Sequence, residues 1–97
     1  MAELQISQRT LTKTLGAAVI TPQGIYPADG GFARAREDEK IEHLLKQAAD
    51  ALGITDTKDW VATVDGRKLN VHRTFEQENL KCVIDIDWHQ HGGGGGA

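Results

Sequence analysis

One amphipathic helix constrains the fold of this chain more than any other feature of the sequence. Residues 37–52, EDEKIEHLLKQAADAL, place one apolar stripe on a helix, formed by Ile41, Leu44, Leu45, Ala48, Ala49 and Leu52. The acidic residues at 37–39 suit a first turn, and Gly53 suits a left-handed cap onto which Ile54 folds back. Ninety-seven residues make one domain, and a helix with a single apolar side in such a domain packs on a sheet.

The residues before the helix predict a hairpin. Residues 17–26 are typical of a strand with a break at 22–24, and residues 32–36 alternate apolar and charged side chains. Between them, PADGG at 27–31 predicts the turn, because Asp-Gly and Gly-Gly readily adopt positive φ. The first fifteen residues are polar and predict a flexible N-terminal arm, although a weak apolar alternation leaves a short strand open.

Two more strands are predicted after the helix. Residues 60–64 alternate, with Trp60, Ala62 and Val64 on one face and Val61 and Thr63 on the other. Asp65-Gly66 predicts a turn into a brief return over residues 67–70.

An irregular loop and a last strand complete the predicted domain. Residues 71–81 predict the loop, with Phe75 and Leu80 as its buried anchors. Residues 82–88 predict the strand, with Ile84, Ile86 and Trp88 on one face and Val83, Asp85 and Asp87 on the other.

Composition excludes several classes of function. The net charge is −3 and the 11 basic residues are scattered, so we expect no nucleic-acid partner. The longest apolar run, residues 16–20, is too short to span a membrane, and no secretion leader opens the chain, so we expect neither a membrane protein nor a secreted one. The single cysteine fits a reducing compartment, so we expect a cytoplasmic protein. Cys82 is the only cysteine, which we expect to be a small packed residue. No nucleophile-and-base arrangement or phosphate-binding loop appears, so we expect neither an enzyme nor a cofactor.

The order of the elements resembles the β-grasp family of ubiquitin and its relatives. In that family a strand, a glycine turn and a return ending in leucine precede an Arg-Thr pair and the last strand. Here WVATVDGRKL at 60–69 is followed by HRTFE at 72–76 and by Leu80. The resemblance covers residues 32–93 well and 16–31 loosely. It implies an α+β, ubiquitin-like β-grasp fold, in which a mixed sheet packs on one main helix.

The resemblance also divides the chain into an arm at 1–15, a β-grasp domain at 16–91 and a glycine-rich tail at 92–97. Its alignment places Trp88 at a family leucine and the family's terminal di-glycine on Gly92-Gly93. The family's basic tail residues fall near His89 and His91. The full set of residues that we expect to serve as the conjugation and processing tail is Gly92, Gly93, Gly94, Gly95 and Gly96.

Two departures from the family bear on recognition. Thr63 and Asp87 stand where ubiquitin has its apolar recognition patch, and Arg67 stands where ubiquitin has the lysine of its commonest degradative chain. We therefore expect partners other than the usual ubiquitin-binding domains. The residues predicted to contact partners are Trp88, His89, His91, Thr63 and Asp87. For Trp60 and Trp88 we expect a place in the core, with Trp88 alternatively a partly exposed docking group beside the tail.

The resemblance implies a protein modifier of bacterial type that is conjugated through its C-terminus. A processing metalloprotease trims the precursor to a terminal glycine, an activating enzyme adenylates it with ATP, and a conjugating enzyme passes it to target-protein lysines. Glycine suits this chemistry because it lies fully extended in a channel too narrow for side chains. The alternatives are a sulfur carrier that ends in a thiocarboxylate and a non-conjugated interaction module, in which the glycine run is an inert linker.

The histidines suggest a metal site that we do not favour. His89 and His91 point to one side of an extended strand, and His72 is a distant third candidate. Two ligands do not define a site, so exposed tail histidines are the better interpretation and no metal is predicted.

Overall fold

The computed structural model describes residues 13–90, which form one mixed β-sheet with one α-helix against it. The elements in chain order are β1 (Thr14–Thr21), β2 (Gly24–Tyr26), β3 (Ala33–Arg36), α1 (Ile41–Leu52), β4 (Trp60–Val64), β5 (Arg67–Lys68) and β6 (Val83–Gln90). The strands lie in the order β2-β1-β6-β4-β5, and β3 also pairs with β1. The pairing of β1 with β6 is parallel and the other pairings are antiparallel.

The N-terminal boundary of the domain lies earlier than predicted. β1 begins at Thr14, which pairs with Arg36 of β3, and Leu15 is only 3% exposed within the core. Thr14 and Leu15, the last two residues of the arm predicted over residues 1–15, therefore belong to the sheet, because both pair with residues of β3. Residues 1–12 lie outside the described part of the chain.

The predicted hairpin is present, but its tight turn lies next to Gly24 and not within residues 27–31. β1 turns into β2 at residues 21–24, where the Thr21 hydroxyl donates to the Gly24 carbonyl at 2.9 Å and accepts from the Gln23 N–H at 3.1 Å. The expected strand break is thus the hairpin turn. Residues 27–31, predicted as that turn, instead form a loop between β2 and β3, which lie one after the other along the same edge of β1.

Helix α1 begins at Ile41, four residues later than predicted from the acidic run. Its first N–H groups have backbone partners from another segment, because Ile41 donates to the Arg73 carbonyl and Glu42 donates to the Val71 carbonyl. Residues 37–40 instead lie beside residues 74–76, with a bridge between Lys40 and Thr74. Tertiary hydrogen bonds have here overridden a local helix signal.

The C-terminus of α1 agrees with its prediction. Gly53 has φ 72° and its N–H donates to the Ala49 carbonyl, which also accepts from the Ile54 N–H at 2.9 Å. Ile54 is half-buried against the core, so the left-handed cap folds the chain back onto the helix as expected.

The core lies between α1 and the inner face of the sheet. Five of the six predicted stripe residues of α1 are buried, and Leu52 is half-buried. The sheet contributes the alternate residues of its two central strands, Leu15, Ala17, Val19, Ile84, Ile86 and Trp88. Phe75 and Leu80, the predicted anchors of the 71–81 loop, are 0% and 4% exposed. Each such apolar side chain contributes roughly 1.5–3 kcal/mol when it is fully buried.

Among the described residues, no helix has the length and apolar character that crossing a bilayer demands.

Candidate functional site: the end of β6 and the open face of the sheet

The strand that precedes the glycine run is paired along its whole length. β6 continues to Gln90, two residues further than predicted, because Trp60 and Val61 of β4 pair with Gln90 and His89. The predicted tail residues His91 and Gly92–Gly96 lie outside the described residues. In the sequence they follow the last paired residue directly, so the glycine run is joined to a strand that the sheet holds in place.

Trp88 lies in the core. It is 5% exposed and faces α1, and its ring meets the half-buried Trp60 edge-on, with centroids 5.1 Å apart and planes at 70°. Such aromatic pairs add about 0.5–1.5 kcal/mol beyond the area they bury. The prediction of two core tryptophans is confirmed for Trp88, and its alternative, Trp88 as an exposed docking group, does not fit this burial.

A cleft lies beside this tryptophan pair, between α1 and the segment that leads into β4. It has a volume of about 720 Å³, and its walls include Lys46 and Ala49 of α1, Ile54, Trp60 and His72. The cleft combines an aromatic wall with charged rims.

Three other predicted contact residues, Thr63, Asp87 and His89, lie on the opposite side of the sheet from Trp88. Thr63 and Asp87 are directly paired across β4 and β6, and His89 is the next outward residue of β6. Asp87 and His89 are exposed and Thr63 is half-buried. The structure therefore brings Thr63, Asp87 and His89 together on one surface and separates them from Trp88.

Sequence reasoning missed a buried carboxylate. Glu78 is 7% exposed and its carboxylate lies 3.0 Å from Arg73 Nη1 and 3.5 Å from Arg67 Nη1. It also accepts from the Asn70 N–H, while Arg67 Nη2 donates to the Glu78 carbonyl at 2.7 Å. The Arg67 guanidinium is thus engaged in holding the 70–80 loop. A glutamate within a polar loop gives no sequence signal of such burial.

The remaining candidate groups are exposed. Cys82 is exposed with φ 69°, so its prediction as a packed residue is wrong, and its carbonyl accepts from the Gly16 N–H as β6 begins. His72 Nδ1 lies 2.9 Å from a Glu42 carboxylate oxygen on the surface. Within residues 13–90, no three His, Cys, Asp or Glu side chains are grouped as metal ligands.

No protein-family model matches the chain, and no curated protein sequence matches it. Several solved structures do match the chain. A de novo designed protein based on ubiquitin matches with a TM-score of 0.64 and 19% identity, over 87% of this chain and 96% of its own. The ubiquitin-like domain of an Arabidopsis thaliana protein matches with a TM-score of 0.64 and 12% identity, over 84% of this chain and 81% of its own.

A third match is a chain in the crystal structure of the pParkin–pUb–UbcH7 complex. Its TM-score is 0.62 at 15% identity, over 82% of this chain but only 24% of that one. The chain thus has an α+β fold of one helix on a mixed sheet. That fold is the ubiquitin-like β-grasp, as the sequence predicted. At these identities the likeness establishes the fold and leaves the activity to be argued from the residues.

Proposed function

We propose that this protein is a ubiquitin-like modifier that is attached to other proteins through a glycine within Gly92–Gly96. The observation that carries the proposal is the position of the glycine run. One residue separates it in the sequence from Gln90, the last residue of β6. That strand pairs with β1 over residues 83–87 and with β4 over residues 87–90. The six residues 91–96, fully extended, reach about 20 Å, far enough for an acyl group to enter the active site of another protein.

The proposed chemistry takes place on the tail. A processing metalloprotease hydrolyses a peptide bond after a glycine and leaves a terminal carboxylate. An activating enzyme joins this carboxylate to the α-phosphate of ATP, with pyrophosphate as the leaving group. A cysteine thiolate of that enzyme then displaces AMP, and a conjugating enzyme receives the resulting thioester. Finally a lysine amine of the target displaces the thiolate and forms an isopeptide bond.

In this scheme the protein is a substrate and supplies no catalytic side chain. Its described part contributes a rigid body whose surfaces near the tail can be recognised. The cleft beside Trp60 and the outward residues at the end of β6 both lie close to where the tail begins. Enzymes that act on the tail would therefore contact one of these two surfaces. The structural neighbours lend support, since one of them is a chain in a complex of pParkin, pUb and UbcH7.

The test is expression of N-terminally tagged forms in the cells from which the gene comes. One form is the whole chain, and others end at each glycine from Gly92 to Gly96. We expect tagged adducts of higher mass that survive thiol reductants, and mass spectrometry should find the tail joined to lysine side chains. The matched control replaces the glycine run with serines, which keeps its length but adds a Cβ at each position.

The outcomes separate the candidate functions. Adducts with the glycine tail and none with the serine tail support a modifier. A terminal carboxylate in which sulfur replaces one oxygen, without lysine adducts, identifies a sulfur carrier. Failure of every glycine-ended form to give either product contradicts conjugation altogether.

A non-conjugated interaction module is the second candidate. The observation that favours it is that two structural neighbours are described as ubiquitin-like domains of other proteins. For that function the glycine run is dispensable, so a chain that lacks residues 92–97 should still bind its partner and keep its biological effect.

A further inference from the structure

The open face of the sheet, which we define as the side away from α1, carries exposed apolar side chains at both of its ends. Among the described residues the large apolar side chains that are exposed are Ile25, Phe32 and Val83, at 47%, 50% and 59%. All three lie on this one face, for reasons of strand register.

The register places each of them. Val83 pairs with Gly16, and alternation along β6 directs it away from the buried Ile84. A Cβ on Gly16 would lie 3.1 Å from the Cβ of Phe32, so Phe32 covers Gly16 beside Val83. At the other end, Ile25 pairs with Ile20, which in turn pairs with Asp87.

Two carboxylates occupy the centre of the open face. Asp85 and Asp87 are the outward residues of the central strand β6, and both are exposed. Their cross-strand neighbours are uncharged, since Asp85 pairs with Ala18 and Asp87 pairs with Ile20 and Thr63. Among residues 13–90, no basic nitrogen lies within 4.0 Å of either carboxylate.

The lysine and arginine side chains of this face are at its edges, and His89 is the next outward residue of β6 after Asp87. Lys68 of β5 pairs with Thr63 on one side of the sheet, and Arg34 of β3 pairs with Gly16 on the other. Arg36 is occupied by Asp38, 3.0 Å away. The centre of the open face is therefore negatively charged and has apolar side chains at either end. Lys68 and Arg34 lie at the edges of the sheet, away from this centre.

We propose that the open face is a docking surface for a protein segment that presents lysine or arginine between apolar side chains, as one side of an amphipathic helix does. The apolar residues of the partner cover Val83 and Phe32 at one end and Ile25 at the other. Its cations lie over Asp85 and Asp87. Charge complementarity selects this partner, because an acidic or wholly apolar segment would leave two carboxylates buried without a partner. This surface does not depend on conjugation through the tail.

The test uses the full 97-residue chain labelled with ¹⁵N and a model helical peptide with leucines and lysines on one side. A matched peptide has glutamate in place of every lysine. We expect amide shifts in β1, β2, β4 and β6 and at Phe32 with the lysine peptide, and none with the glutamate peptide. Added NaCl should weaken the binding, because salt screens the attraction between the cations of the peptide and the exposed carboxylates of Asp85 and Asp87.

Variants locate the charges that matter. Asp85→Asn with Asp87→Asn should weaken binding of the lysine peptide about tenfold or more, since truncating close charge pairs across interfaces commonly has at least that effect. The control, Asp50→Asn with Asp56→Asn, removes the same charge from α1 and from the loop after it, and should leave the affinity unchanged.

Three results would overturn the proposal. They are no binding of the lysine peptide, equal binding of both peptides, or amide shifts centred on α1 and the cleft beside Trp60. A chain without residues 1–12 separates one further case. If the peptide binds only after that deletion, the occupant of the open face is this chain's own N-terminal segment and the proposal of a separate partner is wrong.

Discussion

The two faces of β6 differ in nearly every property although their residues alternate along one strand. Ile84, Ile86 and Trp88 are at most 8% exposed and pack against α1. Val83, Asp85 and Asp87 are exposed on the other side. The inner face holds the fold together, and any chain with this architecture needs something similar there. The outer face is released from packing, so its side chains are free to determine which partners the protein recognises.

The largest expected effect tests the inner face. Ile86→Ala removes a side chain that is 0% exposed at the centre of the sheet, and should lower the free energy of unfolding by about 2–5 kcal/mol through lost burial and the cavity left behind. Urea unfolding followed by tryptophan fluorescence measures it. The control is Val83→Ala on the same strand, which should stay within about 0.5 kcal/mol of the original chain. Equal losses in the two variants would contradict the distinction between the faces.

An intermediate effect is expected where a carboxylate is buried. Glu78→Gln keeps the shape of the side chain but weakens its contacts with Arg73 and Arg67, so the free energy of unfolding should fall by roughly 1–2 kcal/mol. The arginines are half-exposed, which keeps the loss below that of a fully buried ion pair. An unchanged urea midpoint would show that the 70–80 loop does not need this charge.

The smallest expected effect is on the outer face. Asp85→Asn with Asp87→Asn removes two charges that have no basic partner among residues 13–90, and should change the free energy of unfolding by less than about 0.5 kcal/mol. The same urea titration measures it. A loss comparable to that of Glu78→Gln would mean that these carboxylates support the fold, and their effect on peptide binding could then no longer be assigned to recognition.

Sequence periodicity predicted the parts of the fold in which buried and exposed side chains repeat at the period of the helix or strand. The stripe of α1, the alternation of β6 and the anchors Phe75 and Leu80 are all as predicted. Periodicity did not predict the start of α1, because the carbonyls of Val71 and Arg73 that accept from its first N–H groups lie 29 and 32 residues further along the chain. It also misplaced the hairpin turn, since two glycine signals competed and only strand pairing distinguishes them.

The candidate site was predicted in part. The sequence identified Thr63 and Asp87, and the structure pairs them directly on the open face. It could not show that Phe32, Ile25 and Val83 share that face with them, because these residues belong to three separate segments. His91 and Gly92–Gly96 lie outside the described residues, so their role in conjugation stays a prediction.

By itself, the sequence determined that one helix lies on a sheet and which side chains of each element face inward, because burial follows the local period of helix and strand. Only the tertiary structure decided where elements begin, which carboxylate is buried and which exposed side chains are neighbours. Those features depend on hydrogen bonds and contacts between segments far apart in the chain, and no local pattern of residues encodes such distances.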